Sequence, residues 1–174
     1  MRLVKTKIVL DADVIIHFIK GGMLNVLPII FLDYDYVILN FVYDELSSKQ
    51  KEQINNQIHF FQNIQLINYT PTGLEVVEYA RLRANPILGK GESACMVFCK
   101  YNNDVVGSSN LKDIQKYCLD NKITFLTTMD FLAHALRKNL LTVEQCNKFI
   151  YEVKNSDSKL PVNFIEEYSC KVEL

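Results

Sequence analysis

At 174 residues, 49% hydrophobic and 22% charged, the chain is long enough for one well-buried domain and short for two. No apolar run approaches the roughly 18 residues that suggest a membrane span. The net charge of −1 neither demands nor forbids a polyanionic partner, because a local basic patch can serve where the global charge does not.

In chain order, short β-branched runs alternate with amphipathic stretches. The pattern predicts a strand over 8–10, helices over 14–20 and 24–30, and a strand over 36–39. Helices over 42–47 and 51–62, a strand over 65–67 and a helix over 72–83 follow, the last opened by Thr70-Pro71-Thr72. Asn85-Pro86 stops that helix, since the residue before proline avoids helical geometry. After a glycine loop come a helix over 92–101, a strand at Val105-Val106, a helix over 111–120 and a strand over 124–126. Two helices, 129–138 and 143–154, end the series, and the alternation as a whole predicts an α/β fold. The domain is expected over 1–154. The polar stretch Asn155-Ser156-Asp157-Ser158-Lys159-Leu160-Pro161 then links it to a short tail, in which Phe164, Ile165 and Tyr168 favour packing over disorder.

Several candidate groups have plain structural readings. The five cysteines (Cys95, Cys99, Cys118, Cys146 and Cys170) are odd in number and show no zinc-ligand spacing, so reduced core thiols are expected. His17, His59 and His134 are scattered through helical stretches, which favours surface or packing roles. Tyr34, Tyr36, Phe41 and Tyr43 flank a buried strand and read as core. Gly89-Lys90-Gly91 is too short for a phosphate-binding P-loop. The basic start, Met1 to Lys7, has no following apolar stretch with a cleavage site, so a cytoplasmic location is expected.

The chemistry lies in three acids placed where extended runs give way to helices: Asp11 after Lys7-Ile8-Val9-Leu10, Glu45 after Val37-Ile38-Leu39-Asn40, and Glu92 in Gly89-Lys90-Gly91-Glu92-Ser93. Singly, Asp11 is also a good helix N-cap, Glu45 a solvated helix residue, and Glu92 a favourable charge in a first helical turn. Together, at the carboxyl ends of parallel strands, they would form a carboxylate cluster suited to a divalent cation.

In order and spacing, four segments resemble the PIN-domain family of metal-dependent ribonucleases, which includes the VapC-type toxins. They are Ile8-Val9-Leu10-Asp11-Ala12-Asp13-Val14-Ile15, Val42-Tyr43-Asp44-Glu45-Leu46, Gly89-Lys90-Gly91-Glu92-Ser93-Ala94 and Val105-Val106-Gly107-Ser108-Ser109-Asn110; Thr127-Thr128-Met129-Asp130 is similar to a fifth. The resemblance covers most of residues 7–141. It implies a three-layer fold with a mainly parallel central sheet flanked by helices, and an endoribonuclease using Mg²⁺ or Mn²⁺. Asp11, Glu45 and Glu92 would then hold the metal, while Asp13 and Asp44 are set aside as ligands. It further implies a small antitoxin partner and a homodimer. The departure is Asn110, which stands where the family carries an aspartate; Asp113, one helical turn on, is the candidate to restore that charge, and Asn110 is also a suitable N-cap for the next helix. Ser108 is assigned to orienting water or substrate. Lys90 and Lys112 lead a basic set, with Arg81, Arg83, Lys116 and Lys122, that would meet RNA phosphates. The competing reading of Asn110 is a catalytically degenerate module that binds RNA or a protein.

Overall fold

Ile8, Val9 and Leu10 point to alternate faces of strand β1 (Lys7–Leu10), yet none has any exposed surface, so layers must cover the sheet on both sides. The computed structural model, which describes residues 5–174, places β1 at the centre of a five-stranded sheet. The strand order is β3-β2-β1-β4-β5, with β2 at Asp35–Leu39, β3 at Ile64–Ile67, β4 at Val105–Gly107 and β5 at Phe125–Leu126. Every pairing is parallel. The chain winds outward from β1 to β3 and then crosses back to β4 and β5, so its direction reverses between β1 and β4. Sheets of this kind open a crevice beyond the carboxyl ends of the strands at such a reversal. The register pairs Leu10 with Gly107, and Asp11 N donates to Gly107 O at 2.8 Å, so Asp11 and Ser108 leave the sheet side by side.

One layer holds α1 (Ala12–Lys20), α7 (Thr128–Arg137) and α8 (Val143–Asn155), joined by Phe18, whose ring lies 6.2 Å from Phe131 and 5.0 Å from Phe149. The other centres on α5 (Lys90–Asn102), which packs on β1, β2 and β4 and is flanked by α4 (Leu74–Arg83) and α6 (Leu111–Asp120). Between β2 and β3 run α2 (Asn40–Glu45) and α3 (Ser48–Asn55). The three-layer α/β arrangement expected from the sequence is thus present, with a sheet that is parallel throughout.

Two expected helices differ. Over 24–30 only a 3₁₀ turn forms at Leu27–Ile29, because Pro28 supplies no N–H and disfavours helical geometry in the residue before it. The stretch 51–62 splits: α3 ends at Asn55 and continues as a π-helical turn over Asn56–Phe60, closed by Gln62 at φ +52°. The remaining helices and all five strands begin and end within two residues of the expected bounds.

The tail packs back on α7. Ile165 and Cys170 are buried, the Tyr168 hydroxyl donates to Asp130 Oδ1 at 2.7 Å, Arg137 donates to Cys170 O at 2.9 Å, and His134 Nε2 lies 2.7 Å from Val172 O. All five cysteines are buried and unpaired, and Tyr36 is core. Among the described residues, no helix is long and apolar enough to cross a membrane. The reading of Met1 to Val4 as lacking a secretion signal lies outside the described residues.

Candidate metal centre

Three helix amino termini, of α1, α5 and α6, meet the reversal point, and their partial positive charge and free N–H groups favour carboxylates there. Asp11 caps α1: Oδ1 accepts from Ala12 N at 2.8 Å, and buried Oδ2 accepts from Ser108 Oγ at 3.1 Å. Two residues on, Asp13 Oδ1 accepts from Val14 N at 2.6 Å and Oδ2 from Ser109 N at 2.7 Å, with Ser108 Oγ at 3.4 Å. Glu92, in the first turn of α5, accepts from Gly89 N at 3.1 Å through Oε2 and from Asn110 Nδ2 at 2.7 Å through Oε1. The same Asn110 amide donates to Asp113 Oδ2 at 2.5 Å. Glu45, at the end of α2, stands on the exposed rim, where Oε1 accepts from Gly91 N at 2.8 Å. Gly91 leaves room for this approach: a Cβ would sit 3.0 Å from Glu45 Oε2 and 3.1 Å from Val42 Cγ2, so those side chains would have to give by a few tenths of an ångström.

The acids therefore form two linked halves, Asp11 and Asp13 on Ser108, and Glu92 and Asp113 on Asn110. The halves join through Asn110 N, which donates to Ser108 Oγ at 3.3 Å. They also feel one another electrostatically. Burial raises the Asp11 carboxyl well above its ordinary range, and repulsion from Asp13 and then Glu92 adds to the rise. Asp13 is pushed up to about 6, again mainly by burial, against the opposing hydrogen bonds from Ser109 and Val14. Glu92 is raised by burial, with Asp113 and Glu45 contributing repulsion and the bonds from Gly89 and Asn110 working against it.

Oxygen donors at this charge density suit a hard divalent cation in type. Their positions are another matter: among the described residues, no group of three His, Cys, Asp or Glu side chains converges so as to hold one ion. The expected cage of Asp11, Glu45 and Glu92 is not preformed. Like charges repel, and each carboxylate instead takes up the nearest N–H or O–H donor, which spreads the acids along the crevice.

Other sequence-based placements fare unequally. Asp13, set aside by the resemblance, lies inside the cluster, while Asp44 is exposed. Asn110 occupies the N-cap position of α6 but makes no side-chain cap; both amide hydrogens go to Glu92 and Asp113 instead. Asp113 does adjoin the cluster. Lys90 and Lys112 are exposed near it, at the starts of α5 and α6. Arg81 and Lys116 are paired with Glu78 and Asp120, and Arg83 holds the Leu88 carbonyl. Lys122 lies at the opposite end of the sheet, just before β5, and is no part of this site.

A second shell of bonds escaped sequence reading. Ser109 Oγ and Thr128 Oγ1 lie 2.7 Å apart, Thr128 N donates to Ser109 Oγ at 2.8 Å, and His17 Nδ1 lies 2.8 Å from Thr128 Oγ1. The available signal was the pair of hydroxyl doublets, Ser108-Ser109 and Thr127-Thr128, which adjacency of β4 and β5 brings together. A scan against protein-family models finds no family that matches the chain, and a search of curated proteins finds no matching relative.

Proposed function

We propose that the chain is a divalent-metal-dependent nuclease of PIN type acting on RNA. The observation that carries this reading is the gathering of Asp11, Asp13 and Glu92 at the β1–β4 reversal, each with its carboxyl raised by burial and by its neighbours. A site that concentrates uncompensated carboxylates favours a cation, and Mg²⁺ or Mn²⁺ there would acidify a water and offset charge developing on a phosphodiester. Asp11 and Glu92 are the principal ligands in this reading, with Asp13, Asp113 and Glu45 as adjacent oxygen donors. Ser108, bound to Asp11 and near Asp13, fixes the orientation of the buried pair. Lys90 and Lys112, both exposed, would meet phosphates in this reading. A small protein antitoxin and a second copy of the chain are the partners this reading would add.

The test is cleavage of mixed RNA by the purified chain with Mn²⁺, with thermal unfolding measured alongside. Mn²⁺ should raise Tm in the native chain; Asp11→Asn should lose both the shift and the cleavage. One observation favours a second reading, a non-catalytic module: the Asn110 amide already bridges Glu92 and Asp113, neutral material where a ribonuclease of this type carries a charge. Equal Mn²⁺ shifts in native and Asp11→Asn protein, without cleavage, would support the module.

A further inference from the structure

The turn between β4 and α6, Ser108-Ser109-Asn110, supplies hydrogen bonds to Asp11, Asp13, Glu92 and Asp113. Ser108 and Asn110 do so with their side chains. Ser109 does it with its backbone N–H, 2.7 Å from Asp13 Oδ2, and turns its side chain the other way. There Ser109 Oγ accepts from Thr128 N at 2.8 Å, in the first turn of α7, and lies 2.7 Å from Thr128 Oγ1. Thr128 Oγ1 in turn lies 2.8 Å from Nδ1 of His17, on the same helix as Asp13. Thr128 has no exposed surface, and His17 is buried. One proton order uses every hydrogen of this chain: Ser109 O–H donates to Thr128 Oγ1, and Thr128 O–H donates to His17 Nδ1. Burial and then Lys20 keep the His17 ring neutral, which leaves Nδ1 a lone pair for that bond.

Asp11 Oδ2 and Asp13 Oδ2 stand 3.1 and 3.4 Å from the same Ser108 hydroxyl, so two carboxylates that repel each other are kept within reach of one atom. Asp13 is half-buried in the first turn of α1, and rotation of its side chain toward solvent would relieve the repulsion. The Ser109 N–H opposes that rotation for as long as Ser109 keeps its orientation. Ser108 N, bonded to Leu126 O at 3.0 Å, anchors the turn where it leaves β4, and the Ser109 hydroxyl anchors it one residue further on. On the reading of the crevice as a divalent-cation site, we infer that Ser109 and Thr128, backed by His17, are positioning residues: they keep the Ser109 N–H on Asp13 and so hold Asp13 beside Asp11 as a joint source of oxygen for the ion. Their hydroxyls bond to each other and not to the acids, so they act through Asp13. Groups that orient a metal's oxygen or nitrogen donors in this way govern affinity by about 10–100-fold.

The experiment reads the hold on Asp13 and the uptake of the ion separately, in native protein, Ser109→Ala, Thr128→Val and Thr128→Ser, each kept below its measured Tm. In chelator, the Ser109 amide proton is followed by NMR. Bonded to a carboxylate, it should stand downfield in native protein and in Thr128→Ser, and move upfield in Thr128→Val. Calorimetric titration with Mn²⁺ at neutral pH should show affinity weakened about tenfold by Ser109→Ala and by Thr128→Val, and native affinity in Thr128→Ser. In an Asp13→Asn background, Ser109→Ala should change the affinity by less than about twofold, because the side chain being held no longer carries charge. An amide proton that stays in place in Thr128→Val overturns the inference. So does a loss in Thr128→Ser equal to that in Thr128→Val, which would trace the effect to packing, or a full Ser109→Ala effect without the Asp13 charge. Uptake of Mn²⁺ by native protein with equal affinity in Ser109→Ala and Thr128→Val, even at a lower Tm, makes the network purely structural and sinks the positioning role alone. No uptake by native protein sinks the nuclease reading, and the positioning role with it.

Discussion

Replacing Asp13 with asparagine should stabilise the metal-free protein at neutral pH, against the usual expectation for a buried, hydrogen-bonded carboxylate. Burial and repulsion hold the folded-state carboxyl at about 6 against an ordinary 3.8, so the folded chain prefers this group protonated. In the unfolded chain the proton leaves near 3.8. Between these values the folded state binds more protons than the unfolded one, so stability is fully kept below pH 4 and lost as pH rises toward 6. The difference of rather more than two pH units corresponds to about 3 kcal/mol of ionisation cost at pH 7. Asparagine has one acceptor oxygen, so either Val14 N or Ser109 N loses its partner, at about 1 kcal/mol. The net gain is roughly 2 kcal/mol, or a Tm rise of about 4–8 °C for a chain of this size. Thermal unfolding followed by circular dichroism in chelator, from pH 4 to 7.5, reads it directly: the variant's advantage should be largest at pH 7.5 and give way near pH 4 to a slight disadvantage from the lost hydrogen bond. A variant with the same pH profile as the native protein, or a lower Tm at pH 7.5, would refute the electrostatic account of the cluster.

Three further outcomes follow from the same geometry. Asn110→Asp places a carboxylate against Glu92 and Asp113, and should cost about 1–3 kcal/mol in chelator; Mn²⁺ should restore the loss in a thermal-shift assay, and RNA cleavage should equal or exceed that of the native chain. His17 is pushed down to about 4 by burial and then by Lys20, so the folded state favours the neutral ring and loses stability as pH falls from about 6.5 to 4. His17→Asn should flatten that acid limb by roughly 3 kcal/mol, visible as a smaller Tm change over the window. Tyr168→Phe removes the donor to Asp130 Oδ1 from a buried carboxylate; the urea midpoint should fall by the equivalent of about 1–3 kcal/mol, showing that the tail braces α7.

The order of strands and helices was readable because local signals agreed with the fold. β1, β2 and β4 are continuous apolar runs, as strands covered on both faces must be, and Asp11 and Thr127 cap helices with the residue types expected there. Pro28 and the π-helical turn were illegible to a 3.6-residue period, which registers apolar spacing but not a missing N–H or an extra residue per turn. At the site, Asp11, Glu45 and Glu92 were identified as strand-end acids. Whether they meet at a point depends on side-chain torsions, which sequence does not specify, and Gly89, Gly91, Ser108 and Asn110 each draw one acid aside. Asp13 was passed over because the family resemblance assigns the metal to Asp11, Glu45 and Glu92 alone. The N–H of Ser109 on a neighbouring strand end turns it back into the same crevice.

Asn110 looks like the strongest objection to a cation here, but its effect on the charge is small. An amide bridging two carboxylates supplies two hydrogen bonds and no net charge. Glu92 receives one of those bonds and its carboxyl is still raised. The excess must be answered by a proton or by a cation, and the two differ in pH range. With Asp13 at about 6, roughly nine-tenths of it is ionised one pH unit higher, so protons leave the cluster undercompensated at neutral pH. A divalent ion acts in just that range, and its apparent affinity should therefore climb as pH rises through 6, then level off once the acids are deprotonated. Asp13→Asn should displace that climb, while the acid limb of folding stability set by His17 stays where it is. Titration of Mn²⁺ by calorimetry at pH 5, 6, 7 and 8 separates the cases, since a module whose crevice is satisfied by Asn110 would take up Mn²⁺ weakly and without that dependence.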